Sequence, residues 1–379
     1  MKIQSVLGPV DTADLGQVLM HEHLTCADWS MRMNFGSRFY EGDKVTEMAC
    51  GMLGKAAQQG VATVVDGTPV NLGRDVHLMR EVARRTGLNI IASTGFYYQE
   101  EPWLGFRDEE QIYDLLMGDC TDGIQGTDSK PGILKAGVAR AGVTPLLNKV
   151  LHATGRVAAE TGLPIFCHHD PSVHSGGEIL DLFESCGVPA NRVILGHSGD
   201  TTELEYLTAM LERGCWLGMD RFGFCDRDLG LEPRVDTIAR LCELGWGSKL
   251  LLSHDLAAYL AFWDSWETTK NSDYLHLEED FTFIHRRVLP ALRERGLEPA
   301  AVDGLLTANP RAFFEGTSSR WTVPYFPPYQ TLSLIRQARD RRFGPVPAPF
   351  LRTEVPIAQG REASDLSFCV NRWLKRTVF

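Results

Sequence analysis

Closely spaced cysteines are missing from this chain. Its nine cysteines are scattered, with no C-x-x-C pair and no regular framework. That excludes a disulfide scaffold and points to reduced thiols in the cytoplasm. Long apolar runs are missing as well. None approaches the roughly 20 residues of a membrane span, and the opening MKIQSVLGPVDTADLG lacks the apolar core of a secretory signal. Positive charge is scarce: 38 Lys and Arg face 49 Asp and Glu, a net charge of -11. Nucleic acid and anionic membranes are therefore poor partners. With 44% hydrophobic and 23% charged residues, a globular cytoplasmic protein acting on small molecules is expected.

What the chain does have is rhythm. Eight short, mostly apolar runs recur: GQVLMHEHL (16–24), VATVVDGTP (61–69), LNIIASTGFYY (88–98), PGILKAGV (131–138), LPIFCHHD (163–170), NRVILGHSG (191–199), CWLGMDRFG (215–223) and SKLLLSHD (248–255). They read as strands buried on both faces. Segments of helical periodicity lie between them, and several end in the glycine that caps helices. Strand–helix alternation repeated eight times predicts an α/β (β/α)8 TIM barrel. A doubly wound sheet fits less well, because no glycine-rich phosphate loop follows the first run.

Two regions break the rhythm. Residues 256–285 form an aromatic-rich insertion after the eighth run, a position that would put it over the barrel mouth. Residues 317–379 are rich in Pro, Arg and aromatics and are expected to be an arm packed on the barrel or on a neighbouring subunit, leaving 1–316 as the barrel domain. From Arg320 onward ten basic residues face four acidic ones, a surplus of +6, so the remainder carries -17.

Six residues at the ends of these runs carry the chemistry: His21 and His23 in VLMHEHL, Lys135 in PGILKAGV, His168 in LPIFCHHD, His197 in VILGHSGD and Asp255 in LLLSHDL. Taken singly, the histidines and Asp255 have plainer readings, as core histidines or an Asp that caps the next helix. Together they are hard to explain by packing. Buried ionisable groups cost several kcal/mol unless paired or metal-bound, and an ammonium in an apolar run is the most costly of them. The barrel mouth is where a two-metal hydrolytic site would sit. His169 and His254 each neighbour one of the six, and alternation turns both away from that face.

The ordered set H-x-H, Lys, His, His, Asp resembles the metal site of the phosphotriesterase family of the amidohydrolase superfamily. The likeness covers roughly residues 1–316 and extends to GPV, MHEHL, GHSGDT, LGMDRFG, LSHD and TANPRAFF. It implies two divalent metals, usually zinc, with manganese, cobalt or iron as alternatives, and a carbamate on Lys135 that bridges them. By the same resemblance His21, His23 and Asp255 hold one metal, His168 and His197 the other, and a hydroxide between the metals attacks the substrate. Asp255 would then accept the proton. Family members are commonly dimeric, so a homodimer is expected.

Two further words narrow the substrate. Tyr97 in STGFYY and Arg221 in LGMDRFG match positions that sit beside the metals in the lactonase branch of the family. A phenol and a fixed cation there suit a carbonyl oxygen. The plainer readings are mouth packing for Tyr97 and an ion pair with Asp220 or Asp226 for Arg221. Hydrolysis of a carboxylic ester, foremost a lactone, is the leading expectation, with weak phosphotriesterase activity on the side. The alternatives are an amide hydrolase acting on a small N-acyl compound and, more remotely, a non-catalytic binding protein. The chain departs from the lactonase pattern in its acidic segment QEEPWLGFRDEE (99–110), its VDGTPVNLGRD segment (65–75) and its tail.

Overall fold

The computed structural model describes residues 1–225, 229–261 and 280–317. The chain divides into two compact units, Met1–Phe326 and Pro327–Phe379, and all described residues belong to the first. Most of the aromatic insertion and all of the expected arm except Thr317 lie outside the described residues.

All eight expected runs form strands: β1 (Gln17–Glu22), β2 (Val61–Asp66), β3 (Asn89–Gly95), β4 (Ile133–Gly137), β5 (Ile165–His168), β6 (Val193–Gly196), β7 (Trp216–Met219) and β8 (Leu250–Leu252). They pair in parallel and in sequence order in one eight-stranded sheet. Helices α1 (Gly42–Gln58), α2 (Val76–Thr86), α3 (Glu109–Thr121), α4 (Pro145–Thr161), α5 (Gly176–Ser185), α6 (Leu204–Glu212) and α7 (Leu231–Glu243) fill the crossovers. This is a (β/α)8 barrel. Strand alternation divides its core. Ile91, Ile133, Phe166, Ile194, Trp216 and Leu251 pack inside the barrel. Their neighbours Ile90, Leu134, Ile165, Val193, Leu217 and Leu250 face the helices.

At the seam between β1 and β8 the regular ladder is replaced by specific hydrogen bonds. His21 N–H donates to Ser253 Oγ (2.8 Å), Asp255 N–H to His21 O (3.1 Å) and His23 N–H to Leu256 O (2.8 Å). The opposite end is plugged by the hairpin Lys2–Ser5/Gly8–Asp11 and by α8 (Ala308–Glu315), which bring Ile3, Phe313 and Phe314 against Trp216.

The 99–110 segment is not simply an acidic loop. Asp108 caps α3 in a reciprocal capping box with Gln111, and Glu109 and Glu110 lie in the first turn, where the helix dipole favours carboxylates. Both also pair with Arg156. Much of the negative charge read from the sequence is therefore used structurally and is not offered to a substrate.

Candidate active site

The histidine pair depends on an irregularity in β1. Val18 and Met20 point into the barrel core, so strict alternation would turn His21 outward. Between Leu19 and Glu22, however, β1 advances three residues while β2 advances two, from Val64 to Asp66. The extra residue is a bulge, which reverses the parity and re-aims His21 and His23 into the mouth. Gly67 makes room for His21: a β-carbon there would lie 2.5 Å from His21 Cδ2.

All eight residues singled out in the sequence meet in one connected cluster at the C-terminal ends of the strands. His21 Nε2 lies 2.8 Å from Lys135 Nζ and 3.3 Å from Asp255 Oδ1, and His23 Nε2 lies 3.2 Å from the same oxygen. His197 Nε2 faces His168 Nδ1 at 2.6 Å. Arg221 Nε donates to Asp255 Oδ2 (3.1 Å). The Tyr97 ring packs edge-on to His168 at 5.0 Å, with Tyr98 on the same imidazole at 4.9 Å. The plainer alternative for Arg221, an ion pair with Asp220, does not form. Arg221 Nη1 instead donates to Asp200 Oδ2 (2.8 Å), which Arg234 also holds. Asp226, the other partner considered, lies outside the described residues.

Several supporting residues carried no clear signal in the sequence. Asp220, at the end of β7, accepts from His21 Nδ1 (3.0 Å), His197 Nδ1 (3.2 Å) and His197 N–H (2.8 Å). Each ring thereby carries its proton on Nδ1 and presents a bare Nε2 to the site. Thr68 Oγ1 bonds His23 Nδ1 (2.8 Å) and holds that ring in place. Asn71, in the segment that departs from the lactonase pattern, accepts from Tyr97 N–H (2.7 Å) and donates to Gln99 O (3.0 Å), which fixes the loop carrying the tyrosine. His169 and His254 face away from the cluster, bonding Gly196 O and Glu22 respectively.

Backbone and charge are both strained here. His197 and Asp255 hold φ values of 62° and 58°, a left-handed conformation that a β-carbon disfavours and that concentrates at functional sites. Burial brings the Lys135 ammonium down to about 8. Burial, with Lys135 alongside, lowers His21 to about 3, so its imidazole is neutral. Burial also opposes the charge of Asp255, but the polar groups around it, the His23 hydrogen bond and the Arg221 guanidinium among them, outweigh it and hold the carboxyl well below its usual range.

The donor set fits divalent cations. His21, His23 and Asp255 form one group able to hold a metal ion, and His21, His197 and Asp220 form another. In the second group the Asp220 oxygens are already occupied by histidine N–H donors, so Asp220 orients ligands more than it supplies one. His197 Nε2 and His168 Nδ1 lie 2.6 Å apart, a separation that requires a proton or a cation between them.

The comparisons with known proteins agree. The model of the phosphotriesterase family matches residues 1–314. The chain belongs to the phosphotriesterase family. It is 35% identical over 329 residues to a phosphotriesterase homology protein of Mycobacterium tuberculosis, covering 83% of this chain and 98% of that one. An aryldialkylphosphatase of Saccharolobus solfataricus is 31% identical, with 80% and 96% covered. An N-acetyltaurine hydrolase of Mus musculus is 25% identical, with 82% and 97% covered. Membership makes the chain a metal-dependent hydrolase of a family that uses a binuclear metal site.

Proposed function

We propose that the chain hydrolyses a carboxylic ester, with a lactone as the preferred class, using two divalent cations. His21, His23 and Asp255 would hold one cation and His168 and His197 the other, with Lys135, carboxylated to a carbamate, shared between them. Zinc is the leading metal, with manganese, cobalt and iron as alternatives. The same reading takes the protein as a cytoplasmic homodimer.

The observation that carries the carbonyl reading is the pairing of Tyr97 and Arg221 with the cluster. Burial, together with Tyr98, raises the Tyr97 phenol well above its ordinary value, so it remains a hydrogen-bond donor at all working pH. Arg221 has Nε on Asp255 and Nη1 on Asp200, a fixed cation beside the acid. A rigid donor and a rigid cation suit the charge that builds on a carbonyl oxygen as it is attacked.

A bound divalent pair supplies an acidified water and polarises the scissile group. The chain's own residues do the rest. Asp255 accepts the proton of the attacking water on its carboxylate and returns it to the leaving alkoxide. Arg221 keeps that carboxylate ionised, Asp220 and Thr68 hold the imidazoles in register, and Tyr97 orients the carbonyl.

An amide substrate is the second reading, favoured by the relative named N-acetyltaurine hydrolase. A weak phosphotriesterase side activity is in keeping with the relative named aryldialkylphosphatase. The test is a screen of the metal-loaded enzyme across lactones, aryl esters, N-acyl amines and phosphotriesters. The highest kcat/KM is expected on a lactone. An N-acyl amine as the best substrate would replace the ester reading with the amide one.

A further inference from the structure

Glu22 lies between the two histidines of the H-x-H pair, is completely buried (0% exposed), and plays no part in the chemistry described so far. Its carboxylate turns to the seam with β8. Oε1 accepts from Ser253 Oγ (2.7 Å), His254 N–H (2.9 Å) and His254 Nδ1 (2.6 Å), and Oε2 accepts from Leu256 N–H (3.1 Å). The amides on both sides of Asp255 are thus held by one side chain, while the Asp255 amide itself is held by His21 O. His254 is locked in turn, because its Nε2 accepts from Ile284 N–H (3.2 Å). Between these clamped neighbours Asp255 adopts its left-handed φ of 58°, the conformation from which its carboxylate reaches His21, His23 and Arg221. A regular ladder could not produce this turn, since a strand residue at this point would be extended. A buried side chain that supplies the missing acceptors can.

We propose that Glu22 is a positioning residue for Asp255: its carboxylate fixes the His254–Leu256 turn and so sets where the Asp255 carboxylate sits. The inference rests on the reading of Asp255 as ligand and proton acceptor and on no particular substrate. Glu22→Gln tests it, because the amide has the same shape but one fewer acceptor and presents N–H groups to donors.

The first readout is cobalt(II) titration of the metal-free full-length protein, followed by visible absorption. Glu22→Gln should weaken cobalt binding by about 10- to 100-fold, the range seen when groups supporting metal ligands are removed. The second readout is hydrolysis of diethyl 4-nitrophenyl phosphate by the loaded enzyme, where kcat should fall with KM little changed. Both losses should nearly vanish when Glu22→Gln is placed on Asp255→Asn, because a residue acting through Asp255 has nothing left to act on.

Equal losses in both backgrounds, or unaltered cobalt binding and kcat, would overturn the proposal. If Asp255→Asn alone left both readouts untouched, the reading of Asp255 would fall first and the proposal with it. Should Glu22→Gln not fold, His254→Leu removes one donor to Oε1 together with the acceptor of the Ile284 amide. It should give a smaller loss of the same pattern, recovered in His254→Asn, whose amide restores a donor. Losses equal in His254→Leu and His254→Asn would also overturn it.

Discussion

Lys135 is the residue whose position packing explains least. It is 1% exposed, with Nζ 4.2 Å from the centre of the Phe166 ring and 2.8 Å from His21 Nε2. Burial in this apolar setting opposes its charge, so that charge must be removed or used. Lys135→Ala should abolish most activity and lose one metal ion per chain, and added short carboxylic acids should recover part of both. Full activity in that variant would refute the shared-ligand role. Asp255→Asn should reduce kcat by about 10²- to 10⁴-fold, the usual scale of a lost acid–base group, while metal content falls much less. Equal losses of both would make Asp255 a purely structural ligand. Gly67→Ala pushes a methyl against His21 and should cost about 1–3 kcal/mol as overpacking does, read by denaturant unfolding together with weaker metal retention. The ligand candidates were legible because ionisable residues ended apolar runs. Asp220 and Glu22 were not, since an Asp closing a strand looks like a cap and a Glu between two histidines looks like a spacer.

The strands were legible because doubly buried parallel strands are continuous apolar runs. What periodicity could not reveal was the bulge in β1. The sequence correctly put His21 and His23 on one face, but a bulge leaves no pattern in six residues, and only pairing with β2 shows that this is also the face of Met20. Helix α3 was hidden for a different reason. Its first turn is a string of acids, which reads as a charged loop until Asp108 and Gln111 are seen to cap each other. Asp108→Ala should cost about 0.5–2 kcal/mol in unfolding free energy, the worth of a cap, without changing kcat. A change in kcat with stability intact would mean that the acidic segment bears on the site after all.

Over the whole molecule, the eight site residues and the family match lie within residues 1–314. A chain ending at Thr317 should therefore keep its kcat/KM and its metal content. Loss of either, with the barrel still folded, would assign the basic tail a part in catalysis. Among the described residues no helix is long and apolar enough to cross a membrane. Six ionisable groups gathered in one buried cluster should also couple metal to folding. Chelation should lower stability by about 4 kcal/mol where free metal had stood near a thousand times its dissociation constant.

The most direct measurement is the metal content of the purified protein, set beside its hydrolytic activity before and after chelation. About two ions per chain are expected, as for a paired-cation site, with activity lost on chelation and restored by zinc, manganese or cobalt. Less than one ion per chain, with no hydrolysis after any of these metals is added back, would contradict the binuclear hydrolase.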